Sequence, residues 1–191
     1  MNKFKIIITS FALLIFSTAH SFSKEMIGVI AAGIGEIQNQ NKETLVTGSK
    51  IYFGDSVIVK TKSNAQILLM DETTITVGEN SELTIDEFVY DPKSKVGKIV
   101  SNIKIGTVKI ITGEISKQNT DNLVIKVPAG SVGARGTEFA VVIESNGKST
   151  IVLLGPGPDN TLGLIPGNLQ VSDGVNTVDI VRPGFQSVVF K

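Results

Sequence analysis

Short apolar runs recur about every ten residues along this chain. Most alternate with polar positions, as in Thr74-Ile75-Thr76-Val77 and in Leu123, Ile125 and Val127. Period-two alternation places one face of a strand in a core and the other in water. The pattern predicts strands at 26–31, 35–38, 43–46, 56–60, 65–70, 74–77, 81–89, 98–103, 107–112, 123–127, 137–145, 148–154, 163–165, 169–171, 177–181 and 185–190. Turn residues mark the junctions: Lys62-Ser63-Asn64, Gly78-Glu79-Asn80, Asp173-Gly174 and Arg182-Pro183-Gly184. Asn146-Gly147 predicts a two-residue type I′ hairpin. Helical periodicity is missing except for one turn near Glu114–Gln118. The expected fold is all-β, a single-domain β-sandwich or jelly roll with short solenoid-like turns.

The N-terminus follows a different rule. Lys3 and Lys5 precede a mostly apolar stretch of fourteen residues, Ile6 to Ala19, and small-residue cleavage patterns end at Ala19 and Ser23. That stretch is shorter than the ~20 residues of a spanning helix. Residues 1–23 are expected to be a signal peptide cleaved after Ala19 or Ser23. Residues 24–191 form the all-β domain, with no transmembrane helix in the mature chain. The protein is expected in the periplasm or secreted.

Composition narrows the chemistry. There is no cysteine, and the one histidine, His20, lies in the cleavage region. Thiol nucleophiles, disulfides, Cys–zinc sites and imidazole bases are excluded from the mature domain. Basic and acidic residues balance at 18 each, and loss of Lys3 and Lys5 leaves 16 against 18, a net charge of −2. Nothing favours nucleic acid. Tryptophan is absent and there are two tyrosines, so stacking platforms for sugars are poorly supplied. Neighbouring carboxylates in Asp71-Glu72 and Asp86-Glu87 point apart if on strands, which argues against paired-carboxylate catalysis. No G-x-S-x-G elbow, D-x-D-x-D-G calcium loop or G-x-G-x-x-G turn is present. No catalytic residue, metal site or cofactor is expected. Asp159 and Asn160, in the Gly155-to-Thr161 loop, are candidates for a loop contact.

The most informative segment is Val127-Pro128-Ala129-Gly130-Ser131-Val132-Gly133-Ala134-Arg135-Gly136-Thr137-Glu138-Phe139. Arg135 is one of only two arginines against sixteen lysines, and it stands beside Gly136. A planar five-donor fork is wanted there rather than a generic charge. Glycines at Gly133 and Gly136 allow close approach or left-handed backbone. This segment resembles the FecR-domain family, whose pattern is T/V-P-x-A-x-x-x-v-R-G-T-x-F-x-V. Gly48–Asp55 (GSKIYFGD) resembles the family's G-x-x-l-x-x-G-D turn. Ala65–Val77 resembles its acidic hairpin, with Glu72 where the family has Gly. The likeness covers residues 45–145.

The resemblance implies a non-catalytic module, and it marks Gly54, Asp55, Asp71, Gly133, Arg135, Gly136, Thr137 and Phe139 as motif positions with mostly structural roles. Family sensors carry a cytoplasmic anti-sigma segment and one spanning helix before this domain, where this chain is expected to have a signal peptide. The implied function is an exported, stand-alone binding or scaffold module of the cell envelope, acting in extracytoplasmic signalling or protein–protein interaction, with a protein partner. The alternatives are a glycan-binding or polysaccharide-processing protein and a self-assembling envelope component. Apolar neighbours predict partial burial of Arg135, which then requires a carboxylate: Asp71 first, Asp55 second.

Overall fold

The computed structural model describes residues 24–117, 119–156 and 166–190. The expected signal peptide, the strand expected at 163–165, and Asp159 and Asn160 lie outside them. Fifteen strands follow in order: β1 (Met26–Ile34), β2 (Ile37–Gln38), β3 (Lys50–Tyr52), β4 (Ser56–Val59), β5 (Asn64–Leu69), β6 (Thr74–Val77), β7 (Ser81–Asp91), β8 (Val96–Ile111), β9 (Leu123–Val127), β10 (Gly130–Arg135), β11 (Glu138–Ile143), β12 (Ser149–Gly155), β13 (Asn168–Ser172), β14 (Thr177–Ile180) and β15 (Gln186–Val189). Two short 3-10 turns, Ile115–Lys117 and Thr120–Asn122, lie between β8 and β9. The all-β class expected from the sequence holds.

All the strands join in one mixed sheet, with β8 common to two arms. One arm runs β3-β1-β5-β6-β8-β11-β12-β15. The other runs β2-β4-β7-β8-β9-β10-β13-β14. Residues 96–105 of β8 pair with β7, and residues 106–111 pair with β11. The handover is at Gly106, with φ +98°, where a Cβ would lie 2.0 Å from Ser81 Oγ. Only glycine fits that close approach in left-handed backbone. The β8–β9 pair is parallel and the others are antiparallel.

Alternation along every long strand sends apolar residues into one contiguous core fed by both arms. Ile67, Ile75, Ile110, Phe139 and Ile151 enter from the first arm, and Ile85, Ile99, Ile125 and Leu169 from the second. Phe139 is among the largest fully buried side chains. Truncating such a residue to Ala costs about 3–5 kcal/mol.

Several local expectations are corrected. Residues 43–46 make a single bridge, Gln38 to Thr44, and no strand. The runs expected at 98–103 and 107–112 are one strand, β8, because Gly106 bends the chain without ending the pairing. Strands β3 and β10 went unforeseen, since Gly130–Arg135 offers only Val132 and Ala134 to the core. The Asn146-Gly147 hairpin is not type I′. Of the two residues, only Gly147 has positive φ (85°), and Glu144 N–H donates to Lys148 O at 3.0 Å across a three-residue loop. That geometry is a type I turn closed by a left-handed glycine.

Candidate functional site

Arg135 ends β10 in one arm, and Glu138 starts β11 in the other. Arg135-Gly136-Thr137 is therefore the crossing between arms. Gly136 turns the chain with φ +56°, and a Cβ there would meet nothing within 4 Å. The glycine is needed for its conformation, not for space. Thr137 is 3% exposed. Its N–H donates to Thr112 Oγ1 at 2.8 Å, its carbonyl accepts from Thr112 N–H at 3.0 Å, and its hydroxyl donates to Gly155 O at 2.7 Å. These bonds fasten the crossing to the ends of β8 and β12. Gly133 lies under the Thr120 turn, where a Cβ would stand 3.0 Å from Thr120 O.

The acidic hairpin joins the same network. Asp71 is fully buried. Its Oδ1 accepts from Thr73 N–H at 3.1 Å, and its Oδ2 accepts from the Thr73 hydroxyl at 2.7 Å and from Ile115 N–H at 3.4 Å. The Thr73 hydroxyl oxygen in turn accepts from Gly113 N–H at 3.0 Å. Gly113 follows Thr112, so the chain of contacts runs from Asp71 through Thr73, Gly113 and Thr112 to Thr137 and Gly155. A Cβ on Gly113 would fall 2.1 Å from Asp71 O, which requires glycine. Burial pushes the Asp71 carboxyl up, outweighing the donors from Thr73 and Ile115 that pull it down. Sequence reasoning reached Asp71 and Thr137 but not Thr73 or Thr112, whose partners are 40 and 25 residues away.

Asp55 serves another turn. Gly54 has φ +78°, and Asp55 N–H donates to Tyr52 O at 3.0 Å. The carboxylate accepts from Tyr52 N–H at 3.0 Å, Gln40 Nε2 at 3.2 Å and Lys24 Nζ at 2.7 Å. Burial raises its pKa, but these partners, Lys24 foremost, hold it below the ordinary carboxylate value. It lines an open polar cleft of about 590 Å³ with Lys24, Asn39, Glu43, Lys50 and Tyr52. This cleft contains neither Asp71 nor Arg135.

The expected pairing of Arg135 with Asp71 or Asp55 is not found, and no other carboxylate pairs with it among the described residues. Asp71 takes its bonds from Thr73 and Ile115, and Asp55 pairs with Lys24. Among the described residues every ion pair is made by a lysine. Arg135 is half-buried, and its Nε is buried with no partner. Directly opposite in register, Asn168 also carries a buried, unpartnered Oδ1. The physical reason is topological. The acidic hairpin reaches the crossing through the Thr112–Gly113 backbone, on the Thr137 side, while Arg135 lies on the face of β10 opposite to Val132 and Ala134. The arrangement leaves a guanidinium beside a polar amide, opposite each other in register. Among the described residues no group of three or more His, Cys, Asp or Glu could hold a metal, and no helix is long and apolar enough to cross a membrane.

The family model of the FecR protein matches residues 55–155, over half of the 191-residue chain. The chain belongs to the FecR family. Its matched part runs from the Asp55 turn to the Gly155 carbonyl that Thr137 grips. A candidate anti-sigma factor from Parabacteroides distasonis superposes on this FecR chain with a TM-score of 0.50 at 12% identity, over 71% of this chain and 54% of the other. A second structure of a candidate anti-sigma factor from that species gives 0.48 at 12% identity, with the same 71% and 54% shares. This chain spans about half the length of those proteins, and the first likeness is one of fold. No curated protein matches it significantly in sequence.

Proposed function

We propose that this FecR chain is an exported, non-catalytic module that binds a protein partner in envelope signalling, with Arg135 as a contact. One observation carries the reading. A guanidinium at the family's Arg-Gly-Thr motif is half-buried and lacks a carboxylate among the described residues, while its backbone surroundings are rigidly bonded. The buried Nε is a donor whose desolvation finds no compensation among the described residues. A pre-positioned fork suits a carboxylate on a partner. Family membership and the fold shared with a candidate anti-sigma factor support a regulatory role. The charged, apolar and small-residue order of residues 1–23 supports export.

A photo-crosslinking residue placed at Arg135 in living cells tests the reading, with Lys42 as an exposed control. A discrete protein adduct at position 135 and none at 42 is expected. Equal labelling at both positions, or none at either, would remove Arg135 from any interface.

A further inference from the structure

Each arm of the sheet ends in two margins, and a margin exposes unpaired N–H and C=O groups unless something blunts it. Strand β2 is covered, since Gln38 bridges to Thr44 and Leu45 N–H donates to Ile37 O at 2.8 Å. Strand β3 commits Tyr52 N–H and C=O to Asp55, both at 3.0 Å. On β14, Asp173 N–H donates to Asn176 O at 3.2 Å, so alternation turns the backbone of Thr177 and Asp179 outward. The Asp179 charge stands at that exposed margin and would oppose its own copy.

Among the described residues, strand β15 has no such guard. Leu153 N–H donates to Phe185 O at 3.1 Å, and alternation then gives Ser187 and Val189 the bonds to Ile151 and Ser149. Gln186, Val188 and Phe190 turn their N–H and C=O away from β12, and among the described residues no strand lies beyond. The run Phe185-Gln186-Ser187-Val188-Val189-Phe190 contains no charge, proline or glycine. Phe185 and Phe190 are 62% and 71% exposed. Uncharged, β-forming and open, this is the kind of edge that proteins normally suppress.

We propose that β15 pairs antiparallel with β15 of a second copy of this chain, about a two-fold axis at Val188. In that register Val188 faces its counterpart, and Gln186 faces Phe190 of the second copy. All are residues whose backbone groups point outward, so each facing pair exchanges two hydrogen bonds. The strand is its own complement, and no like charges meet. That singles out a second copy over a partner of unspecified sequence. The interaction is isologous and closes as a dimer.

Sedimentation equilibrium of the purified protein tests this. The wild type is expected to rise with concentration to twice the monomer mass. Val188→Pro removes an outward N–H and no bond to β12, so the variant folds and stays monomeric. Val188→Lys sets two like charges at the axis and is also expected to be monomeric, with the melting temperature of the dilute, monomeric wild type. A wild type that stays monomeric to hundreds of micromolar overturns the proposal, as does a dimer that survives both substitutions. A photo-label at Val188 that captures only a different chain would assign the edge to that chain and overturn self-pairing. Arg135→Ala should still dimerise, so loss of partner crosslinking with the dimer intact separates this proposal from the partner-binding one.

Discussion

Replacing Arg135 with Ala should barely change the stability of the fold. Two structural terms decide the size. The guanidinium has no ion pair among the described residues, so the ~3–5 kcal/mol lost when a buried pair is broken does not arise. Removing the side chain also removes a buried, unpartnered Nε donor, a relief of about 1–3 kcal/mol. Against this stands the packing of the half-buried methylene stem, about 0.8 kcal/mol for each buried CH₂. The terms are of opposite sign and similar size, so the net change is expected within about 1 kcal/mol of zero. Urea unfolding followed by far-UV circular dichroism, with the slope checked for constancy, measures it. A loss above about 3 kcal/mol would show that the guanidinium is held by a strong partner, and would refute the argument for recognition. Arg135→Lys separates the readings further, because it retains charge but loses the fork. It should be neutral for stability and deleterious for partner crosslinking.

Glu72 has φ 70° where the family has Gly, so Glu72→Gly should stabilise by about 0.5–1 kcal/mol, seen as a rise of about 1–4 °C in melting temperature; a fall would refute the strain. Asp71 and Asp55 should shape the pH dependence with opposite signs. The raised Asp71 pKa contributes stability below the unfolded value of ~3.9 that is lost as pH rises through the folded value, whereas the lowered Asp55 pKa contributes stability above ~3.9 that is lost as pH falls. Urea unfolding of Asp71→Asn and Asp55→Asn against wild type between pH 3 and 7 should show differences that run in opposite directions; parallel trends would contradict the assignments. Ser101 Oγ is buried without a partner between the register neighbours Ile85 and Ile125, so Ser101→Ala should be neutral or stabilising by up to about 1 kcal/mol, and a clear loss in calorimetry would count against this. Mass spectrometry of the mature N-terminus should show loss of residues 1–19 or 1–23, and an intact Met1 in envelope material would contradict export.

What the sequence by itself determined is local. Alternation placed Thr74–Val77 and Leu123–Val127 at their observed bounds, since a strand's two faces are written into neighbouring residues. Asp71 as a motif position was legible from its hairpin, and its bonds to Thr73, two residues away, are local. Gly136 as a conformational hinge was legible from glycine beside an isolated arginine. The family was legible from the order and spacing of its motifs. Tertiary structure alone decided the rest. Strand β10 exists because β9 and β13 pair with it on either side; its glycine-rich sequence carries too little apolar signal to declare a strand. Strand β8 is one element because two arms of the sheet both use it, which no local pattern encodes. Arg135 pairs with neither Asp71 nor Asp55, and with no carboxylate among the described residues, for a related reason. Partial burial is predictable from neighbours in sequence, but an ion pair needs a charge delivered from a distant strand to the same face. The acidic hairpin is instead anchored by backbone donors of Gly113 and Ile115, and such donors have no side-chain signature by which they could be foreseen.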